Sequence, residues 1–173
     1  MEVLDAIGHV RVIRSYAERP LEPDSMTSIV DAARHAGSSQ NRQRWDFVLI
    51  TERATLERLG QVGRYAAHVP GAMAAIALVT PDPPTPRAAL SITWDLGRAA
   101  QNIVLAAWAL GIGSCPVTVY DHDLAREVIG YPEGRDCMYL ITLGYPADPD
   151  DLARPPRPGG RKPLDEVLHR ERW

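Results

Sequence analysis

DLGRAAQNIVLAAWALGIGSCPV, residues 95–117, is the stretch on which the fold turns. Between Asp95 and Leu110 it carries Leu96, Ala99, Ala100, Ile103, Val104, Ala106, Ala107, Ala109 and Leu110. At 3.6 residues per turn these side chains cover nearly the whole circumference, which predicts a helix buried in the protein or in an interface. Its alanines let neighbouring elements approach closely. Asp95 is expected to cap its start. Gly111 and Gly113 end it, and Gln101 and Asn102 lie mid-helix, placed to hydrogen-bond across an interface. The following Cys115-Pro-Val-Thr-Val-Tyr120 reads as a loop, leading to a short helix capped by Asp121 and closed by Gly130.

Upstream, Ala72 to Val79 is short and continuously apolar, as expected of a strand buried on both faces. Pro81-Asp-Pro-Pro-Thr-Pro86 follows, and four prolines in six residues predict a surface loop. Trp45 to Ile50 reads as another strand, with Trp45 a packing residue. Arg53 to Leu59 reads as a helix with Thr51 as its cap. Before them, a helix capped by Asp24 or Ser25 runs to Gly37, and the polar loop Ser38–Arg44 comes next. Val3, Leu4, Ile7 and Val10 mark a short amphipathic N-terminal helix over residues 1–10. Downstream, Cys137 to Leu143 is a strand. Residues 146–163, rich in Pro, Asp, Arg and Gly, form an extended arm, and 164–169 a last short element. Three or more strands with interspersed helices give an α+β or α/β architecture.

Bulk composition narrows the functional classes. The 173 residues fit one domain spanning 1–173. A formal charge of −3 lacks the basic excess of nucleic-acid binders. No stretch reaches the length of a membrane span, and the N-terminus has no signal-peptide core, so a cytoplasmic protein is expected. Cys115 and Cys137 sit among apolar residues without metal-ligand spacing and read as reduced core thiols. His9, His35, His68, His122 and His169 are scattered and read as structural or exposed, so no metal site is expected. Neither a Ser-His-Asp arrangement nor a phosphate-binding glycine fingerprint after a strand is present.

Several segments, in order, resemble the nitroreductase superfamily. RVIRSYAERPL (11–21) is similar to its opening Arg-rich turn, SSQNRQRWDFVLI (38–50) to its amide-bearing loop and strand, and residues 95–117 to its central helix. GYPEGRDCMYLITLGYP (130–146) and RKPLDEVLHRERW (161–173) are similar to its final strand and arm. The resemblance spans nearly the whole chain. It implies an α+β fold with a central, mostly antiparallel sheet flanked by helices. It also implies FMN as cofactor, NAD(P)H as co-substrate, and a homodimer with flavin at the interface. The implied activity is ping-pong hydride transfer to an electron-poor acceptor such as a nitroaromatic or quinone.

FMN presents a phosphate, a polar ribityl chain with its pyrimidine edge, and a flat apolar ring. Guanidinium forks match phosphate oxygens, and the resemblance places Arg14 and Arg161 there. Arg11 joins Arg14 on one face if their turn is helical, whereas Lys162 could equally be a surface residue. Many family members carry serine at the position of Val12 and a basic residue at Val10, so a side-chain contact is missing here; Val12 stays a cofactor-binding position, where a backbone N–H could replace that contact. Ser38, Ser39, Asn41 and Gln43 supply the hydroxyls and amides that the pyrimidine edge requires. Arg44 replaces the proline common before the tryptophan. Pro116, Val117, Thr118 and Val119 resemble the loop packed on one ring face. In the family, backbone N–H groups of that loop, here those of Thr118 and Val119, reach the reactive ring nitrogen and stabilise developing negative charge. The flavin carries the chemistry, so no side-chain acid or base is expected. Two other readings are a specialised member (a dehalogenase or flavin-modifying enzyme) and a non-catalytic flavin-binding protein.

Overall fold

A computed structural model describes residues 3–155 and 159–173. Its centre is an antiparallel four-stranded sheet of β1 (Asp46–Ile50), β2 (Ala74–Pro81), β3 (Gly113–Thr118) and β4 (Arg135–Gly144), in the order β1-β2-β4-β3. Five α-helices accompany it: α1 (Val3–His9), α2 (Pro23–Arg34), α3 (Arg53–Leu59), α4 (Pro86–Ala109) and α5 (His122–Ile129). The α+β architecture read from the sequence is the one observed.

Each face of the sheet carries its own core. On one face Ile76, Leu78, Ile141 and Leu143 pack against Ile29 and Ala33 of α2 and Leu96, Ile103 and Ala107 of α4. On the other, Ala75, Ala77, Val117 and Leu140 pack against Leu56 and Leu59 of α3 and Ala125 of α5. Residues 74–80 of β2 are all buried because successive side chains feed alternate cores. Burying an isoleucine such as Ile76 or Ile141 stabilises by about 1.5–3 kcal/mol. Both cysteines are free and buried, as expected of core thiols, and burial pushes the Cys137 thiol up to about 12.

Several local expectations are corrected. Residues 113–118 form a strand rather than a loop. Pro116 is tolerated because β3 is an edge strand, where a missing N–H breaks no ladder bond. The long helix begins nine residues before Asp95. Thr85 is its cap, its hydroxyl accepting the Ala88 N–H at 3.1 Å, and Pro86 supplies the first helical position. α2 is preceded by Glu22 and opened by Pro23, with no side-chain cap from Asp24 or Ser25, and Glu52 rather than Thr51 precedes α3. Asn102 donates to the Ala32 carbonyl on α2 at 2.9 Å, within the same chain. Asp121 and Gly130 bound α5 as expected, Asp121 accepting from Leu124 N–H and Gly130 adopting a φ of 78°.

α4 is buried along one side only. Leu90, Trp94, Gly97 and Gln101, at i, i+4, i+7 and i+11, form an exposed stripe. The arm contains a 3-10 turn, Pro149–Leu152, and its positions 156–158 lie outside the described residues. All of 159–173 is exposed, Leu164, Val167, Leu168 and Trp173 included.

Candidate functional site

Residues 12–16 run extended beside the free edge of β3. Val12 pairs with Ser114, Ile13 N–H donates to the Ser114 carbonyl at 2.9 Å, and Tyr16 pairs with Pro146. Two glycines permit this approach. A Cβ on Gly113 would stand 2.7 Å from Ile13 Cβ, and one on Gly144 2.7 Å from the Tyr16 ring. Tyr16 lies over the junction, its hydroxyl donating to the Ile13 carbonyl at 2.6 Å and 2.7 Å from Thr142 Oγ1. Burial raises its pKa far above the usual phenol range.

Because this segment is extended, Arg11 and Arg14 do not share a helical face. Arg11 donates instead to the Gly8, Val10 and Arg154 carbonyls at 2.8–3.1 Å, tying α1 to the start of the arm. Arg14 turns to a cavity of about 540 Å³, which it lines with Tyr65, Ala67, His68, Pro116 and Thr118. Strand alternation explains which β3 residues reach it. Val117 and Val119 are buried in the core with α3 and α5, whereas Pro116 and Thr118 face outward. The Val119 N–H donates to the Met138 carbonyl at 3.0 Å, so it is committed to the sheet. Thr118 occupies the alternate position, so its N–H points off the sheet edge. Of the four loop residues expected at the ring face, Pro116 and Thr118 line the cavity, and Val117 and Val119 do not.

The cavity is electropositive. The imidazole of His68 titrates below its ordinary value, first through burial and then through the nearby Arg14 charge. Its Nε2 is buried with no hydrogen-bond partner among the described residues. Burial also raises the Cys115 thiol, an effect the adjacent Arg14 partly offsets. Tyr65, Ala67 and His68 were not among the residues expected from the sequence. They come from irregular chain between α3 and β2, where no hydrophobic period marks a role.

The Ser38–Arg44 loop lies elsewhere, over α4. Gln40, Asn41 and Gln43 have φ of 54°, 54° and 47°, left-handed values that are uncommon outside glycine. Ser38 Oγ accepts the Gln43 N–H at 2.9 Å, and the Gln43 amide donates to Asn41 Oδ1 at 3.2 Å. Asp95 sits beneath, 2 % exposed in the middle of α4, and accepts the Ser39 N–H at 2.9 Å. It is thus a tertiary anchor and not the helix cap expected from sequence. Arg44 Nη2 lies 3.8 Å from the same carboxylate and donates to Ser91 Oγ at 2.7 Å.

Within one chain, therefore, Arg14, Pro116 and Thr118 share a cavity, with Val12 half-exposed on the adjoining segment. Ser38, Ser39, Asn41 and Gln43 belong to the separate loop. Arg161 is on the exposed arm, donating to the Gly160 carbonyl. A second, apolar slot of about 250 Å³ lies between Thr93, Gly97 and Ala100 of α4 and Leu78, Tyr139 and Ile141 of the sheet, and shares Pro116 with the first. Among the described residues no helix is long and apolar enough to cross a membrane, and no His/Cys/Asp/Glu cluster could hold a metal ion.

The Nitroreductase family model matches residues 9–81 and 64–145, and the chain belongs to that family. It is 33% identical over 184 residues to an Archaeoglobus fulgidus protein provisionally named NADH dehydrogenase/NAD(P)H nitroreductase, covering 99% of each chain. It is 26% identical over 176 residues to the NADPH-flavin oxidoreductase of Vibrio harveyi, covering 94% of this chain and 71% of the relative. The fold matches the crystal structure of the Vibrio harveyi NADPH:FMN oxidoreductase complexed with NAD+ at a TM-score of 0.86 and 23% identity, covering 98% of this chain and 77% of that one.

Proposed function

We propose that the chain is an FMN-dependent NAD(P)H oxidoreductase that works as a homodimer with flavin held between two copies. The observation that carries this reading is the cavity in which Arg14, Pro116 and Thr118, from separate segments, converge. Its volume of about 540 Å³ falls in the range of small-molecule sites. The residues suit the group: a guanidinium for anionic oxygens and an apolar proline wall for a flat ring. Bound FMN would accept a hydride from NAD(P)H and pass it to an electron-poor acceptor of nitroaromatic or quinone type.

The protein's own part is to bind, orient and polarise. Arg14 supplies fixed positive charge that favours the reduced, anionic form of the cofactor. The Thr118 N–H, off the sheet edge, supplies a preorganised donor beside Pro116. Arg161 and the Ser38–Gln43 loop complete the site from a second copy, since neither lines the cavity of its own chain. Pairing is supported by the apolar side chains left uncovered in one copy. They are Val3, Leu4 and Ile7 of α1, Leu90 and Trp94 of α4, and Leu164, Val167, Leu168 and Trp173 of the arm. The similar Vibrio harveyi protein is named an NADPH:FMN oxidoreductase, which supports this reading.

Two measurements test this. Sedimentation equilibrium is expected to give twice the 19.1 kDa chain mass. Anaerobic addition of NADH or NADPH to the FMN-loaded protein is expected to bleach the visible flavin band. A protein that binds FMN but leaves it oxidised with both reductants would be a flavin-binding protein without this activity. A monomer would remove the interface site altogether.

A further inference from the structure

We propose that Asp95 is a positioning residue which, through Ser39 and Arg44, holds the Ser38–Arg44 loop in the left-handed shape that presents Asn41 to the flavin. The proposal rests on the functional reading above for what the loop meets, and on the geometry alone for what holds it. Three of the four residues from Gln40 to Gln43 have left-handed φ without being glycine, a backbone that persists only where its surroundings fix it. Within the loop the fixing contacts are local. Ser38 O accepts the Asn41 N–H at 3.0 Å, Ser39 O accepts the Arg42 N–H at 3.1 Å, and Ser38 Oγ accepts the Gln43 N–H.

The long-range tie is to α4. The buried Asp95 carboxylate takes the Ser39 N–H from 56 residues away and faces the Arg44 guanidinium. Arg44 is itself braced by Ser91, whose hydroxyl donates to the Ala88 carbonyl at 3.1 Å. One charged residue thus grips both ends of the strained turn. A buried carboxylate in mid-helix contributes nothing to helix propensity and needs partners to offset its desolvation. Those partners are loop groups.

Asp95→Asn is close to isosteric and keeps an acceptor for Ser39, so the fold is expected to survive. Arg44→Met, with Arg44→Lys as the conservative control, probes the same tie from the loop side. Amide hydrogen exchange of the apo protein is the first readout. Residues 39–43 are expected to exchange at least tenfold faster in D95N and R44M, with β2 and β4 unchanged and R44K partly restored. FMN affinity, measured by quenching of its fluorescence, is the second, with weakening by roughly tenfold expected. A double-mutant cycle with Asn41→Ala separates positioning from general destabilisation, because residues acting through one another are non-additive. D95N/N41A is expected to bind FMN no worse than N41A. Unchanged loop exchange in D95N, or additive losses in the cycle, overturns the proposal. Failure of the wild-type protein to bind FMN overturns the flavin reading instead, and loop exchange then decides the positioning role by itself.

Discussion

The two halves of the candidate site are built in opposite ways. The cavity half stands on the sheet: Pro116 and Thr118 are ladder residues of β3, and Arg14 follows a segment docked on that strand through Ile13. Its backbone is regular, and its precision comes from close packing against glycines. The loop half is irregular and largely exposed, with its shape imposed on left-handed residues by one buried carboxylate. Recognition groups on sheet edges are positioned as precisely as the sheet itself, whereas those on a strained loop are only as good as their anchor. The contrast predicts that the cavity half fails by losing chemistry or packing, and the loop half by losing shape.

The largest effect is expected on the cavity side. Arg14→Met removes the charged donor, and hydrogen bonds to a charged partner contribute about 1.5–3 kcal/mol. FMN affinity should fall roughly 10- to 100-fold, with little change in melting temperature because Arg14 is exposed. Fluorescence titration and a melting curve on the same variant check both halves of that statement. Gly113→Ala acts on packing instead. Its new methyl would stand 2.7 Å from Ile13, with no flexible side-chain end to yield. Overpacking of this kind costs about 1–3 kcal/mol, and melting should fall by roughly 2–4 °C per kcal/mol in a chain of this size. An unchanged melting temperature would mean the 12–16 segment is not bolted to β3 as described.

These two positions also show what the sequence could and could not disclose. β2 was legible because eight consecutive small and apolar residues, 72–79, suit an element buried on both faces. α4 was legible in its apolar half. Its first nine residues were not, because Pro86 reads as the end of a proline loop although it opens a helix behind Thr85. β3 was concealed by Pro116, whose lack of an N–H argues against a strand unless the strand is known to be an edge. Asp95 is the sharpest case. A carboxylate ahead of an apolar run has the signature of a cap, and only the tertiary contact with Ser39 distinguishes a cap from an anchor. Arg14 and Asn41 were singled out by resemblance. Tyr65 and His68, which share the cavity wall with Arg14, were not, since irregular chain carries no period from which a role can be inferred.

A smaller effect should appear in the pH dependence of stability. His68 has a depressed pKa in the folded protein because it is partly buried and close to Arg14, effects that a hydrogen bond to the Tyr65 backbone only partly offsets. The unfolded chain therefore binds a proton at this position more readily than the folded one. Stability is accordingly retained above the ordinary histidine value of 6.5 and is lost as pH falls from there through the folded value. Melting temperature measured between neutral and mildly acidic pH should decline for the wild type and decline less steeply for His68→Gln. Equal slopes would show that the imidazole takes its proton as easily folded as unfolded.

The least effect is expected from Gln40→Gly, and it separates strain from shape in the loop half. Gln40, at φ 54° and ψ 25°, occupies a conformation that glycine adopts without steric cost. Glycine also has more unfolded-state entropy to lose, so relief and penalty, each about 1 kcal/mol, nearly cancel. Melting should shift by no more than a few degrees in either direction. If the anchor at Asp95 fixes the loop's shape, FMN affinity in Q40G should stay within about twofold of the wild type, a difference under ~0.5 kcal/mol. A much larger loss of affinity with unchanged melting would mean that the Gln40 side chain, and not the backbone geometry imposed on it, is what the loop contributes.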